Sequence, residues 1–411
     1  MTIEAAVLTA DTERISQDFG PNKQEVEEYI KNNDHAALMR SFSQMIDQST
    51  HSEAVLEVNT QNLKTESGIQ SPSSQAPKHW YRRKLSGWIH KHLVPEGFRT
   101  AVEKKYGNFI IIRSTGEYHY EEMPIYTRIG MHLLFGGYYR GKVVSSSMMH
   151  ALFLKETLRQ GLYFTLPESV KQIPSFVQHY MIEMDNYVIS KVSEYQNFNE
   201  FFTRAILPGK RPIAELDDDS ILVSAADSRL NVFTSIDTAT EFWIKGKNFN
   251  LTNLLKDEAL AEELDGGSIA IFRLAPQDYH RFHTPAKGTV ESINTLSGTY
   301  YTVNPCTVNE SLDVFTDNHR SITKIKSHQG FNYAVISIGA LLVGSIVMTN
   351  AEPEKELEKG QEMGYFQYGG STVIVVFPKD TVEWDQDLKL NSEKSLETLV
   401  EMGERIGSYC V

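Results

Sequence analysis

Glu362-Met-Gly-Tyr-Phe-Gln-Tyr-Gly-Gly-Ser-Thr-Val-Ile-Val-Val-Phe377 holds two runs rich in Val, Ile, Tyr and Phe on either side of Gly369-Gly-Ser-Thr372. Such side chains favour a pleated surface, and paired glycines free the backbone between strands. The stretch therefore predicts strands at 362–368 and 373–377. The plain expectation is a hairpin whose turn happens to contain Ser371 and Thr372. A second expectation is chemical. With no Cβ on Gly369 or Gly370, the carbonyl before Ser371 can be held in a strained geometry beside the serine hydroxyl. Ser371 Oγ can then attack the Gly370 carbonyl and move the acyl group from N to O. Elimination from that ester cuts the chain and leaves a dehydroalanine, which hydrolyses to a pyruvoyl group. Such a group is an electron sink able to hold an amine substrate as a Schiff base, as pyridoxal phosphate does. A serine hydroxyl is a weak nucleophile, so this chemistry needs a base.

Asp278-Tyr-His-Arg-Phe-His283 follows a predicted strand, Ser268–Leu274, and supplies two histidines three apart. In a strand or turn, residues i and i+3 point in different directions, so His280 and His283 need not share one task. They could equally be structural histidines closing a strand end. His-x-x-His recurs in metal sites, but no further ligand cluster accompanies it, and no metal is expected. Ala225-Ala-Asp-Ser-Arg-Leu230 puts Asp227 just after another predicted strand, Ile221–Ala225, where side chains often face a site. The alternative for Asp227 is an Asx-turn onto its own backbone. Ser371, His283 and Asp227 then suit the roles of nucleophile, base and orienting carboxylate. No G-x-S-x-G elbow surrounds Ser371, which weighs against a lipase-type hydrolase.

Outward from these motifs the chain changes texture. Residues 1–77 are a polar leader and linker, with helical spacing through 24–46 and a Ser/Gln/Thr/Pro-rich tract from Thr60 to Pro77. Residues 78–123 open with a basic aromatic segment, Lys78–Leu93, in which Trp80, Trp88 and Ile89 accompany Arg82, Arg83 and Lys84. It suits an amphipathic helix packed on the domain or a helix lying on an anionic membrane surface. Residues 124–411 form the predicted catalytic domain. Helical spacing dominates from Tyr126 to Arg204, with a helix start at Pro167. Short β runs follow Pro212, interrupted by a helix near 241–255 and closed by a helix at Ser392–Met402. Phe331–Met348 resembles a membrane span in hydropathy, but its glycines and β-branched residues fit two buried strands better. The fold class expected is α+β: a helical N-terminal part, then a β-rich catalytic part with an antiparallel sheet and a lipoyl-like hairpin.

The 411 residues carry a formal net charge of -13, with 41% hydrophobic and 10% aromatic content. That suffices for a sizeable core and argues against nucleic acid as a partner. Two cysteines far apart in sequence form no disulfide framework and fit a reducing compartment. The N-terminus lacks signal and transit features. A cytoplasmic location with peripheral contact to endomembranes is expected.

The chain resembles the phosphatidylserine decarboxylase proenzymes, and more closely their non-mitochondrial fungal and plant forms. The resemblance rests on Phe198-Asn-Glu-Phe-Phe-Thr-Arg204, Arg211-Pro-Ile213, Ser224-Ala-Ala-Asp-Ser-Arg229, Arg273–Pro285, Tyr301-Thr-Val-Asn-Pro305, Val343-Gly-Ser-Ile346 and Lys359–Thr372, in family order. It covers about Tyr126 to Gly407. It implies self-cleavage between Gly370 and Ser371, giving a β chain ending at Gly370 and an α chain beginning with a pyruvoyl group made from Ser371. It further implies that Asp227 and His283 assist cleavage and that His280 handles protons during decarboxylation. The expected reaction is phosphatidylserine to phosphatidylethanolamine and carbon dioxide, by an α/β heterodimer that dimerises further. Departures fall at Asp227-Ser228, Gly369-Gly370 and Asn318-His319-Arg320, where the family commonly has Asp-Gly, Leu-Gly and Asn-Glu-Arg. The sequence also shows no C2 domain or EF-hand-like leader of the kind larger branch members carry. A free amino acid is therefore a second substrate expectation, as in fungal relatives with Gly-Gly-Ser-Ser that decarboxylate tryptophan. A third expectation, from another class, is an inactive lipoyl-like binding module, because Lys287–Ile293 and Leu357–Gly364 resemble that fold's strand–turn pairs. Such modules need a lysine at the hairpin tip, where this chain has Gly-Gly-Ser-Thr.

Overall fold

The computed structural model describes residues 107–122, 138–139, 142–143, 161–242, 244, 249–298, 314–339, 346–367 and 371–410. The leader, the basic aromatic segment, the helical spacing at Ile129–Phe135 and Leu152–Leu158, the strand expected at Tyr300–Val303, and Gly369-Gly370 lie outside the described residues.

In chain order, β1 (Gly107–Ile112), β2 (Tyr118–Glu122) and the short pair β3 (Tyr138–Tyr139) and β4 (Lys142–Val143) precede α1 (Ile173–Tyr180) and α2 (Phe198–Phe202). Then come β5 (Ile221–Val223), β6 (Ser228–Phe233), α3 (Ile236–Phe242), α4 (Leu251–Leu255), α5 (Glu258–Glu263), β7 (Ser268–Leu274), β8 (Arg281–His283) and β9 (Gly288–Leu296). After α6 (Val314–Asp317) follow β10 (Arg320–Ser327), β11 (Asn332–Gly339), β12 (Ile346–Met348), β13 (Glu356–Leu357), β14 (Glu362–Phe366) and β15 (Ser371–Phe377). The chain closes with β16 (Val382–Trp384), α7 (Gln386–Glu393), β17 (Glu397–Val400) and β18 (Arg405–Tyr409). The fold is α+β.

Ten strands form one sheet in the order β13-β9-β10-β11-β15-β7-β6-β17-β1-β2, and two three-stranded sheets, β12-β14-β8 and β16-β18-β5, accompany it. Pairing in the large sheet is antiparallel except between β1 and β17. β15 lies between β11 and β7 and is buried at every residue. Its unbroken apolar run explains this, since a strand covered on both faces has no solvent side to keep polar. Around Phe377 an aromatic cluster builds part of the core: Tyr333 stacks at 5.0 Å between ring centroids, while Trp384 and Tyr409 meet it edge-on at 6.0 and 6.1 Å.

The hairpin expected across Gly369-Gly370 does not form. β14 pairs with β12 and β8, whereas β15 pairs with β11 and β7, so the chain passes from one sheet to another just before Ser371. Gly364 commits β14 to its own sheet: a Cβ there would lie 2.3 Å from Val347 O and 2.8 Å from Phe282 Cζ. A strand that close to its neighbours on both sides has no edge left for β15. The closing helix is also shifted. It ends at Glu393, Ser395 turns the chain at φ +57°, and 397–400 form β17 between β1 and β6. Glu397-Thr-Leu-Val400 is buried throughout, and pairing on both sides outweighs the local helical spacing.

Other elements follow the sequence. Pro167 begins a 3₁₀ turn, Pro167–Gln172, that leads into α1. α2 is capped by Asn197, whose side chain accepts from Glu200 N at 2.9 Å, while Glu200 Oε2 accepts from Gln196 N at 2.6 Å. The Phe331–Met348 window contains β11 and β12 rather than a span, and no helix among the described residues is long and apolar enough to cross a membrane.

Candidate active site

Ser371 is the first residue of β15, and its backbone lies opposite Leu274, the last residue of β7, and Gly339, the last of β11. The loop leaving β7 carries Asp278, Tyr279 and His280 into β8, so this loop begins at the same end of the large sheet as Ser371. Ser228, the first residue of β6, and Arg320, the first of β10, lie at that end too. Ser371 is fully buried, and its Oγ has no hydrogen-bond partner among the described residues. A buried hydroxyl left unpaired costs on the order of 1–3 kcal/mol.

His283 ends β8 and is built from both sides. Its backbone N–H donates to Ala225 O at 2.8 Å, which ties β8 to the segment leading to Asp227. Its Nδ1 lies 2.9 Å from Gly360 O, and its Nε2 is bonded to the Tyr279 hydroxyl. A carbonyl only accepts, so Nδ1 carries the proton and Nε2 accepts from Tyr279 O–H. Gly360 has φ +75° and offers this carbonyl from a left-handed turn, and a Cβ there would meet Ile213 Cδ1 at 2.4 Å. Burial pushes the His283 pKa below its ordinary value, more than Gly360 and the negative Glu362 and Asp227 raise it, and Arg281 lowers it further. The imidazole is thus a neutral base. Burial likewise lifts the Tyr279 hydroxyl well above its ordinary range, with Asp227 and Glu362 adding to the effect, so it stays protonated.

Asp227 makes no Asx-turn and does not bond His283. Arg211 grips it in a two-pronged pair, Nε to Oδ1 at 3.0 Å and an Nη to Oδ2 at 2.8 Å, and Met402 N donates to Oδ1 at 2.8 Å. Burial works against the Arg211 charge, but the Asp227 carboxylate outweighs it and holds the guanidinium above its ordinary pKa. Asp227 is thereby held away from His283 by its own partners and shares no hydrogen bond with that ring.

His280 is buried, with its ring 3.8 Å from that of Phe202 on α2. Its Nδ1 donates to Asp278 O at 2.9 Å, which leaves Nε2 as the basic nitrogen. Its carbonyl accepts from Phe366 N at 2.8 Å, anchoring the loop to the last residue of β14. Asp278 itself accepts from Ala275 N at 2.7 Å and pairs with Arg229, and both side chains of that pair are buried. The two histidines therefore occupy separate settings, one on an aromatic ring and one between a phenol and a carbonyl.

Arg320 serves the architecture. It donates to Leu254 O, Asn253 O, Thr316 O and Asn318 O at 2.7, 2.8, 2.7 and 3.0 Å, tying α4 and α6 to the start of β10. Burial pushes its pKa down to about 10. Asn318 Nδ2 donates to the carbonyl of Gly339, the residue opposite Ser371, at 2.9 Å.

Sequence reading named Ser371, His283, His280 and Asp227 as site candidates and did not name Tyr279, Arg211, Arg229 and Phe202, which the structure sets against the histidines, Asp227 and Asp278. The signals were present: Tyr279 sits between Asp278 and His280, and Arg211 opens the Arg-Pro-Ile stretch. Their partners, however, come from 16 and more residues away in the case of Arg211 and Asp227.

A β-rich domain with a buried serine at the head of a central strand, and two buried histidines on the segment that leaves the neighbouring strand, defines the candidate site. Residues 198–408 match the family described as phosphatidylserine decarboxylase. The chain is 39% identical over 338 residues to "Phosphatidylserine decarboxylase proenzyme 2" of Komagataella phaffii, covering 82% of this chain and 32% of that protein. It is 46% identical over 252 residues to "Phosphatidylserine decarboxylase proenzyme 2" of Oryza sativa subsp. japonica, covering 61% and 40%. Against "Phosphatidylserine decarboxylase proenzyme" of Clostridium perfringens it is 39% identical over 259 residues, covering 62% of this chain and 87% of that protein. The chain belongs to the phosphatidylserine decarboxylase family. It spans 30 to 40% of the length of the first three curated relatives it matches.

Proposed function

We propose that this chain is a self-processing proenzyme that decarboxylates phosphatidylserine through a pyruvoyl group made from Ser371. The observation that carries the reading is the Ser371 hydroxyl, buried without a hydrogen-bond partner among the described residues at the first position of β15. A fold holds such a hydroxyl at a cost, which fits an atom that is to be consumed. In this reading neutral His283 takes the Oγ proton as Oγ bonds the Gly370 carbonyl carbon and the C–N bond breaks. Loss of the Ser371 α-proton, with departure of the Gly370 carboxylate, frees the β chain. Tautomerisation and addition of water release ammonia and leave the pyruvoyl terminus. Asp227, fixed by Arg211, steadies the positive charge that His283 gains. The pyruvoyl carbonyl supplies an electron sink for a substrate amine. His280, with Nδ1 committed to Asp278 O, offers Nε2 to move a proton at the substrate's α-carbon. The relatives' names support phosphatidylserine as the substrate. The lipoyl-like element and the contact of 78–93 with membranes belong to the same proposal, as do the α/β heterodimer and a peripheral location on endomembranes.

The test is the intact mass of the purified chain under denaturing conditions, with Ser371→Ala as control. Two fragments meeting at Gly370/Ser371, the smaller lacking a free amino terminus, are expected for the natural chain, and one full-length mass for S371A. A single mass for both would overturn the reading. For the cleaved chain, carbon dioxide release from phosphatidylserine in vesicles is expected. Release only from a free amino acid would replace the substrate.

A further inference from the structure

His283 shares no hydrogen bond with the carboxylate that a catalytic triad would place beside it, because Arg211 and Met402 N occupy Asp227. Its partner at Nε2 is Tyr279. Resting on the self-processing reading above, we propose that Tyr279 is the positioning residue for His283. It fixes the tautomer and ring plane and restrains the basicity of Nε2 until Ser371 is to be deprotonated.

Three observations converge on this role. The carbonyl of Gly360 holds Nδ1–H, so the ring cannot flip without losing that bond or pairing Nδ1–H with the phenol. Tyr279 precedes His280 on the loop that runs from the end of β7, opposite Ser371, so ring position and loop position are coupled. The Tyr279 and His283 rings are stacked at 5.8 Å between centroids and 30° between planes, which holds the phenol at the imidazole's edge. A hydrogen bond donated to the lone pair stabilises the neutral imidazole and makes it less basic. The charged groups that face the pair are Glu362 on β14, opposite His283 in the register, Asp227 before β6, Arg281 on β8, and Arg211. None of these donates to Nε2, so the phenol alone sets the local chemistry of that atom among the described residues. In the proton transfer itself no oxidant or second reactant enters: the Ser371 Oγ proton passes to Nε2 as the Oγ–carbon bond forms, and Tyr279 O–H gives up its bond to that lone pair.

The experiment has two readouts in the full chain. Histidine-labelled S371A, which keeps the serine site uncleaved, is examined by nitrogen NMR of the imidazoles, with the His283 signal assigned by its loss in His283→Asn. Nδ1–H is expected, and adding Tyr279→Phe is expected to raise the His283 pKa by about one unit. Newly synthesised chain without the S371A change is then followed for self-cleavage across pH. Tyr279→Phe is expected to slow cleavage on the order of tenfold on the high-pH plateau and to move the pH midpoint upward with the NMR value. A packing role alone would slow cleavage without moving either titration, and that outcome overturns the proposal. If natural chain never cleaves at any pH, the self-processing reading fails and this role with it. The NMR signature in S371A separates that failure from an unchanged His283.

Discussion

At the scale of residues, the site is governed by which buried polar atoms are paired. Asp227 has three donors converging on its carboxylate, two from Arg211 and one from Met402 N, and is 3% exposed. Removing one partner from such a pair leaves an uncompensated charge, which costs about 3–5 kcal/mol. Arg211→Met is therefore expected to lower the unfolding free energy by that much and to slow self-cleavage, measured in urea melts and by gel. Asp227→Asn keeps the shape and leaves the buried Arg211 guanidinium with Glu401, at 3.6 Å, as its carboxylate partner; it is expected to be milder in stability than R211M, which takes away the cation of Asp227. A larger loss of stability in D227N than in R211M would mean that the clamp serves something other than Asp227. Arg229 and Asp278 form a second buried pair that fixes the loop carrying His280.

At the scale of elements, the decisive feature is the passage from β14 to β15. Each strand is committed to its sheet by a different property: β14 by the close approach at Gly364, β15 by seven buried residues flanked on both sides. The chain therefore leaves one sheet after β14 and enters another at β15, and each of the two strands is held by its own neighbours. Gly364→Ala places a methyl carbon on Val347 O and Phe282. It is expected to destabilise by about 1–3 kcal/mol and, by loosening β14, to slow self-cleavage more than its stability loss explains. Thermal melts and cleavage rates in the same buffer check this, and a rate unchanged in G364A would show that β14 does not bear on the crossing. α2 acts at the same scale. Its Phe198 packs against Phe164 and Phe176, its Phe201 against Phe176, and its Phe202, stacked on Phe198, gives His280 a ring to lie on.

At the scale of the molecule, one core joins these parts, from the Phe377 cluster to the aromatic block of α1 and α2. Titration of a group buried in it is felt by the whole fold. His283 has a folded pKa below its ordinary 6.5, so between those two values the unfolded chain binds more protons than the folded one. Stability therefore rises with pH through this window, and is lost as pH falls below about 6.5 toward the folded value. For uncleaved S371A, the melting temperature is expected to drop as pH is lowered from about 6.5 to about 5. His283→Asn is expected to flatten part of that slope, and an identical slope in both chains would assign the acid sensitivity elsewhere.

Much of this protein is determined by its sequence alone. Val373–Phe377 reads as a strand, Ser268–Leu274 is a strand to the residue, and Pro167 marks a helix start through its backbone geometry. These are local facts, set by side-chain shape and hydrogen-bonding capacity within a few residues. Ser371, His280, His283 and Asp227 stand out as candidates for the same reason, since each sits in a short motif of reactive types. What only the tertiary structure decided is pairing. Residues 397–400 are a strand because β1 and β6 lie on either side, and 362–377 is a crossing because two different sheets take its halves. Asp227 belongs to Arg211, and His283 to Gly360, because the fold brings together segments 16 and 77 residues apart, while Tyr279, four residues before His283, meets it through the bend of their own loop. A hydrogen bond or a close backbone approach depends on positions finer than any sequence pattern encodes, and it is there that the site acquired its geometry.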